Sequence, residues 1–172
     1  MAQNTDILDL GRIGLVAGEA RHLDLTVALD DLSLGGQRYK SVPRAVPVKV
    51  DVSRMTGGYA LRLRFEAELA GPCMRCLEDA GQSFRVEDRQ IDQPGGGSED
   101  LDSPYVDGDE LDLQAWARDA LVLELPTQIV CREDCKGICA VCGENLNTAG
   151  PDHGHERAPD PRWNKLSEIR FD

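Results

Sequence analysis

Six cysteines and two late histidines constrain this chain more than any other feature. They fall as Cys73-x-x-Cys76, then Cys131-x3-Cys135-x3-Cys139-x-x-Cys142, then His153-x-His155. Together they make eight thiolate and imidazole ligands, enough for two closed tetrahedral metal sites. A redox dithiol, an iron–sulfur cluster or a disulfide framework would each give the same residues a different task, so the function turns on choosing among these.

Compartment narrows the choice. The first residues, MAQNTDILDLGRIGLV, carry no basic start and no small-residue cleavage signal, and no run reaches the roughly 18 apolar residues of a membrane span. The expectation is a cytoplasmic protein, where thiols stay reduced and Cys-x-x-Cys pairs serve metals or redox chemistry. That argues against disulfides.

The periodicity predicts an α+β fold, an antiparallel β meander covered by a helix. From Tyr59 onward the residues alternate. Leu61, Leu63, Phe65, Ala67 and Leu69 fall on one face and Arg62, Arg64, Glu66 and Glu68 on the other. Val46, Val48, Val50 and Val52 alternate just before, with the hairpin signal Thr56-Gly57-Gly58 between the two runs. Phe84 and Val86 begin a third strand after the turn that holds Cys73 and Cys76, and Leu23, Leu25 and Val27 mark an earlier one with His22 on its polar side. Residues 92–112 hold eight acids and no base around Pro94-Gly95-Gly96-Gly97, which reads as a flexible acidic loop. Asp112 then caps a helix running to about Leu125, stopped by Pro126, with Leu113, Trp116, Ala117, Ala120 and Leu121 on its inner side. Asp160-Pro161 opens a short terminal helix bearing Trp163, Leu166 and Ile169. The expected division is a sheet domain over 1–128 and a Cys/His zinc-knuckle module with its terminal helix over 129–172.

Zinc prefers four nitrogen and sulfur ligands, and a Cys-x-x-Cys turn aims two sulfurs at one point. Cys139 and Cys142, followed by Gly143, lie close enough in sequence to His153 and His155 for the turn-rich NLNTAGPD to loop back. These four are assigned to one site. Cys73, Cys76, Cys131 and Cys135 remain for the other, a clip across the domain; exchange of Cys135 between sites is the alternative partition.

The rivals fit less well. Cys135-x3-Cys139-x-x-Cys142 has the spacing of a radical-SAM cluster motif, but only 30 residues follow it where a large barrel is needed. A thioredoxin-like dithiol wants its Cys-x-x-Cys at a helix N-terminus in a βαβ unit; Cys73 leaves a strand into a turn. Catalytic zinc keeps an open position and a nearby base. Glu156 beside His155 is the one candidate base, and eight ligands in two closed sites leave no vacancy. No phosphate loop, nucleophile elbow or apolar carboxylate pair is present, so no enzymatic activity and no small-molecule substrate are expected.

Charge bears on partners. The chain carries −12, but unevenly: residues 38–89 sum to +3, residues 90–172 to −11 and the first 37 to −4. A polyanion avoids bare nucleic acid unless its charge is segregated. RNA contact is therefore expected only in the middle segment, at Arg62, Arg64 and Arg75, while the acidic tail suits a basic protein.

The motifs Cys73-Met-Arg-Cys76-Leu77, Leu111-Asp112-Leu113, Leu-Glu-Leu-Pro126, Cys131-x3-Cys135-Lys-Gly-Ile-Cys139-x-x-Cys142-Gly143-x-Asn145-Leu146-Asn147 and Asp160-Pro161-Arg162-Trp163-x-x-Leu166 occur in this order. The chain thereby resembles the YceD-like family of large ribosomal RNA subunit accumulation proteins, strongly over about residues 60–172 and in outline before that. Where many relatives carry a late cysteine pair, this chain has His153 and His155. The resemblance implies a bacterial, non-enzymatic factor in the synthesis, processing or accumulation of large-subunit ribosomal RNA. Two structural zinc ions are expected, with the RNA, its precursor or a basic ribosomal protein as partner. A zinc-stapled protein-interaction module without RNA contact, or a dithiol redox protein, is the alternative.

Overall fold

The structure is a computed structural model that describes residues 5–95 and 101–155. The expected terminal helix at Asp160 lies outside them. In chain order the elements are β1 (Ile7–Asp9), β2 (Ala20–Ala28), β3 (Leu32–Leu34), β4 (Gln37–Ser41), β5 (Ala45–Met55), β6 (Gly58–Pro72), β7 (Asp79–Asp92), β8 (Val106–Asp107), β9 (Glu110–Asp112) and α1 (Leu113–Leu123).

The alternating runs form the centre. Thr56-Gly57 closes the β5–β6 hairpin with Met55 opposite Gly58, and Gly57 takes the left-handed backbone (φ 87°) that such a two-residue turn requires. β6 and β7 pair along their whole length, from Tyr59 opposite Asp92 to Pro72 opposite Asp79. β7 therefore begins at Asp79, before the first apolar pair at Phe84. Its opening residues are small and polar, so hydrophobic alternation could not mark them. With β2 on the far side of β5, the order is β2-β5-β6-β7. Valines 46, 48, 50 and 52 and residues 61, 63, 65, 67 and 69 of β6 are all buried, on one face.

The expected meander omits the β3–β4 hairpin. β5 leaves β6 at Val48, opposite Phe65, and β4 takes over the same edge with Ser41 opposite Leu69 and Lys40 opposite Ala70. Tyr39 of β4 is fully buried, and its hydroxyl donates to the Pro72 carbonyl at 2.6 Å. Gly71 makes that approach possible, since a Cβ there would come within 2.4 Å of the Tyr39 ring.

The five helical residues expected to face inward are the five that α1 buries, and the Asp112 carboxylate accepts the Ala115 N–H at 2.8 Å as the N-cap. The helix reaches both outer strands of the four-stranded run. Gln114 Nε2 donates to the Ala28 carbonyl of β2 at 3.0 Å, and Trp116 Nε1 donates to Asp88 Oδ2 of β7. One helix thus spans the four strands, its buried face laid against the sheet.

Of the expected flexible acidic loop, residues 96–100 lie outside the described residues, while residues 101–112 are ordered against the rest of the fold. β9 lies between β1 and β8, with Leu8 opposite Leu111 and Val106 opposite Leu111. Asp92 is buried and accepts the Ser103 N–H, and Tyr105 stacks on Trp116 with centroids 6.4 Å apart. Composition hid this order. Leu111, Tyr105 and Val106 are spaced among acids and gain their partners from one another, from the N-terminal strand and from α1.

The tight packing at Gly71 is testable. Gly71→Ala should lower stability by about 1–3 kcal/mol by overpacking Tyr39. Gly81→Ala, whose new methyl would meet only the flexible end of Glu68 at 3.2 Å, should change it by less than about 0.5 kcal/mol. Urea denaturation of the metal-loaded protein compares the two.

Candidate metal centre

Cys73 follows directly on β6 and Cys76 lies in the connection to β7. Three hydrogen bonds shape this turn. Cys73 N–H donates to the Glu78 carbonyl (2.7 Å), Leu77 N–H to the Cys73 carbonyl (3.0 Å), and Arg75 N–H to Cys73 Sγ (3.4 Å). The same three recur at the same offsets around Cys139. Cys139 N–H donates to the Glu144 carbonyl (2.8 Å), Gly143 N–H to the Cys139 carbonyl (2.8 Å), and Val141 N–H to Cys139 Sγ (3.4 Å). Closing either turn forces the residue after its second cysteine into the left-handed region. Gly143 has φ 75°, and Leu77, the non-glycine residue with positive φ among those described, has φ 64°. That conformation costs a non-glycine residue about 1–2 kcal/mol.

The structure brings the eight candidate ligands together in two groups, Cys73, Cys76, Cys131 and Cys135 in one and Cys139, Cys142, His153 and His155 in the other, with the ligand atoms of each within 4.8 Å of one another. In the first, Cys73 Sγ lies 3.8 Å from Cys135 Sγ and Cys76 Sγ lies 3.6 Å from Cys131 Sγ. A tetrahedral divalent ion with metal–sulfur bonds of about 2.3 Å needs sulfurs about 3.8 Å apart, whereas a disulfide needs about 2.05 Å. The spacing fits an ion. In the second, Cys142 Sγ lies 3.8 Å from His153 Nε2 and 3.3 Å from His155 Nε2. His153 Nδ1 meets Glu144 Oε2 at 2.9 Å, which fixes the ring so that Nε2 faces the sulfurs. Both groups could hold metal ions.

Outer contacts join the pieces. Met74 N–H donates to the Ile129 carbonyl (2.9 Å), so the segment that follows α1 is stitched to the first turn, and Ile129 itself is fully buried. Arg75 Nε donates to Gln128 Oε1 (3.1 Å) and its Nη1 to the Cys135 carbonyl (3.2 Å). Asn147 Nδ2 donates to Cys135 Sγ (3.4 Å) while its Oδ1 accepts the Lys136 N–H (2.8 Å). Ile138 N–H donates to the Arg75 carbonyl (3.1 Å), and Asn145 Nδ2 to Glu78 Oε1 (3.4 Å), so the second turn lies against the first. Glu144, Asn145 and Asn147 were not among the residues sequence reasoning singled out for roles. Their only signal was position within the cysteine run.

The thiols are not equivalent. Burial works to raise Cys73, yet the amides of Cys76, Arg75 and Cys131 outweigh it and bring the thiol down to about 6. The Asn147 amide holds Cys135 below the usual thiol range. Burial and the neighbouring thiols push Cys131 up to about 12. Cys139 is brought to about 6, chiefly by the His153 ring, and His153 is raised in turn by Cys139.

Arg62 and Arg64 lie on the outward face of β6, within a lattice of ion pairs. Arg62 stands between Asp51 of β5 and Arg89 of β7, Arg64 between Lys49 of β5 and Glu87 of β7, and each leans diagonally to the acid opposite the other. Arg62 Nη2 reaches Glu87 at 2.8 Å, and Arg64 Nη2 reaches Asp51 at 2.8 Å, where His22 Nδ1 also bonds at 2.6 Å. Arg62 and then Arg89 hold the Glu87 carboxyl below its usual range. A groove of about 390 Å³ crosses this face, walled by residues that include Lys49, Arg64, Glu66, Arg85 and Glu87. Arg75 is elsewhere, in the first cysteine turn.

Fold and site together define an antiparallel sheet covered by one helix and carrying two four-donor clusters, one joining the β6–β7 turn to the chain after the helix and the other contained within that following chain. The chain belongs to the family described as Large ribosomal RNA subunit accumulation protein YceD, whose model matches residues 61–170. It is 36% identical over 111 residues to an uncharacterised protein of Mycobacterium tuberculosis strain H37Rv, covering 60% of this chain and 51% of that protein. Across 176 residues it is 30% identical to an uncharacterised Mycobacterium leprae protein, covering 87% of this chain and 80% of the relative. To the maize Large ribosomal RNA subunit accumulation protein YCED homolog 1, chloroplastic, it is 31% identical over 181 residues, 86% of this chain and 60% of the plant protein. The chain spans about half the length of the first mycobacterial relatives it matches. No solved structure matches it. No helix among the described residues is long and apolar enough to cross a membrane.

Removing an outer contact should weaken one cluster and spare the other. Asn147→Ala should reduce metal affinity at the Cys73 cluster, and Glu144→Ala at the Cys139 cluster, each by about 10- to 100-fold. Competition with a chromophoric chelator resolves the two sites.

Proposed function

We propose that this chain is a non-enzymatic cytoplasmic factor in large-subunit ribosomal RNA accumulation, that its two clusters hold structural zinc, and that it acts by holding a basic ribosomal protein. The family description supplies the process. The single observation that carries the mechanism is that each cluster has four donors of its own. A tetrahedral zinc held by four side chains has no position left for water or substrate, so its role is to fix the fold. The donor sets, four sulfurs in one cluster and two sulfurs with two imidazoles in the other, suit zinc. When bound, zinc supplies a fixed tetrahedral cross-link.

Charge supports a protein partner. The whole chain is a polyanion, and the arginines of the sheet face are matched by Glu87 and Asp51. Phosphate contact there would have to break ion pairs already made. A second reading, direct RNA contact at Arg62, Arg64 and Arg75, is favoured by the groove beside Arg64 and Arg85. Ultraviolet cross-linking to ribosomal RNA that Arg62→Glu and Arg64→Glu abolish would establish it.

Depletion of the protein should lower the ratio of large- to small-subunit ribosomal RNA. Wild-type protein should restore the ratio and Cys76→Ser should not, while elemental analysis gives two zinc ions per wild-type chain. An unchanged ratio would overturn the role, and an open, exchangeable water on either ion would revive an enzymatic one.

A further inference from the structure

Leu77 breaks a local rule that its twin obeys. The two cysteine turns share their hydrogen bonds, and the left-handed position is glycine in one and leucine in the other. The leucine is not buried in exchange for its strained backbone: 55% of it is exposed. Strain with no structural return points to function. Apolar exposure, without the strain, recurs in the adjoining segment. Ile138, whose amide bonds to the Arg75 carbonyl of the same turn, is 40% exposed, and Val141 at the tip of the second turn is 62% exposed.

We propose that the paired cysteine turns form a docking surface for a basic protein segment, with Leu77, Ile138 and Val141 as its apolar contacts. The proposal rests on the protein-partner reading above and names the surface that serves it. Charge selects the occupant. Residues 75–79 and 132–145 carry five acids, Glu78, Asp79, Glu133, Asp134 and Glu144, against three bases. Arg132 and Asp134 answer each other at 3.2 Å, Glu144 holds His153 Nδ1 at 2.9 Å, and Arg75 is engaged with Gln128 and the Cys135 carbonyl, which leaves Glu78, Asp79 and Glu133 against Lys136. An excess of acid beside exposed apolar side chains repels nucleic acid and anionic lipid, and repels a second copy of itself. A cationic segment with an apolar anchor satisfies both the charge and the exposed apolar side chains.

The test titrates the full-length, zinc-loaded chain against each purified protein of the large ribosomal subunit, free of RNA. At least one should bind, more weakly as salt rises. Leu77→Gly should melt at an equal or higher temperature and keep both metals, yet bind about tenfold or more weakly. Val141→Ser, which leaves the strained position untouched, should weaken binding as well, while Val122→Ser at the end of α1 should not. Binding unaltered in both Leu77→Gly and Val141→Ser would overturn this surface and leave the protein-partner reading standing. If no large-subunit protein binds the wild-type chain, that reading falls and this surface with it.

Discussion

The meeting of four sulfurs at the end of the β6–β7 hairpin governs the rest of this structure. Cys73 and Cys76 come from the hairpin, and Cys131 and Cys135 from beyond the helix, so one cluster spans α1 and everything before it back to β7. Closing so long a loop is entropically unfavourable in the free chain, though the penalty grows only slowly with length. Structural zinc in small peptides contributes about 10–16 kcal/mol of apparent binding energy, more than the net stability of many domains. Hydrophobic burial alone also joins the parts, through Ile129 and the inner face of α1. The sulfurs decide their register.

The second cluster is a variation on the first. Both begin with the same three-bond turn, and both depend on a carboxamide or carboxylate behind the ligands, Asn147 in one and Glu144 in the other. Their difference lies in exposure. The first is largely enclosed by the sheet and the segment after the helix, while Cys142 and His155 of the second are open to solvent. Outer contacts that orient a ring matter most where packing does not, which is where His153 meets Glu144.

Much of this was legible in the sequence, and the failures share a cause. The alternation of β5 and β6, the hairpin at Gly57 and the inner face of α1 follow from local periodicity, and the ligand spacing placed the metal candidates. Strands β1, β8 and β9 were not legible, because each is two or three residues long and acquires its meaning from a partner a hundred residues away or buried in an acidic run. The β3–β4 hairpin was missed for a related reason: it fills a gap that opens only because β5 stops pairing with β6 at Val48. Side-chain pairing was equally hidden. Arg62 and Arg64 read as free cations from one strand's pattern, and their acids belong to neighbouring strands.

Tyr39 draws the β3–β4 hairpin into the same arrangement. Its phenol holds the last carbonyl of β6, one residue before the first ligand, and so sets the angle at which Cys73 arrives. A hairpin that contributes no donor of its own thereby works as an alignment jig for the sulfurs. Changes in residues 32–41 are tolerable only while that phenol still finds the main chain, so a segment with no chemistry carries part of the precision that the chemistry demands.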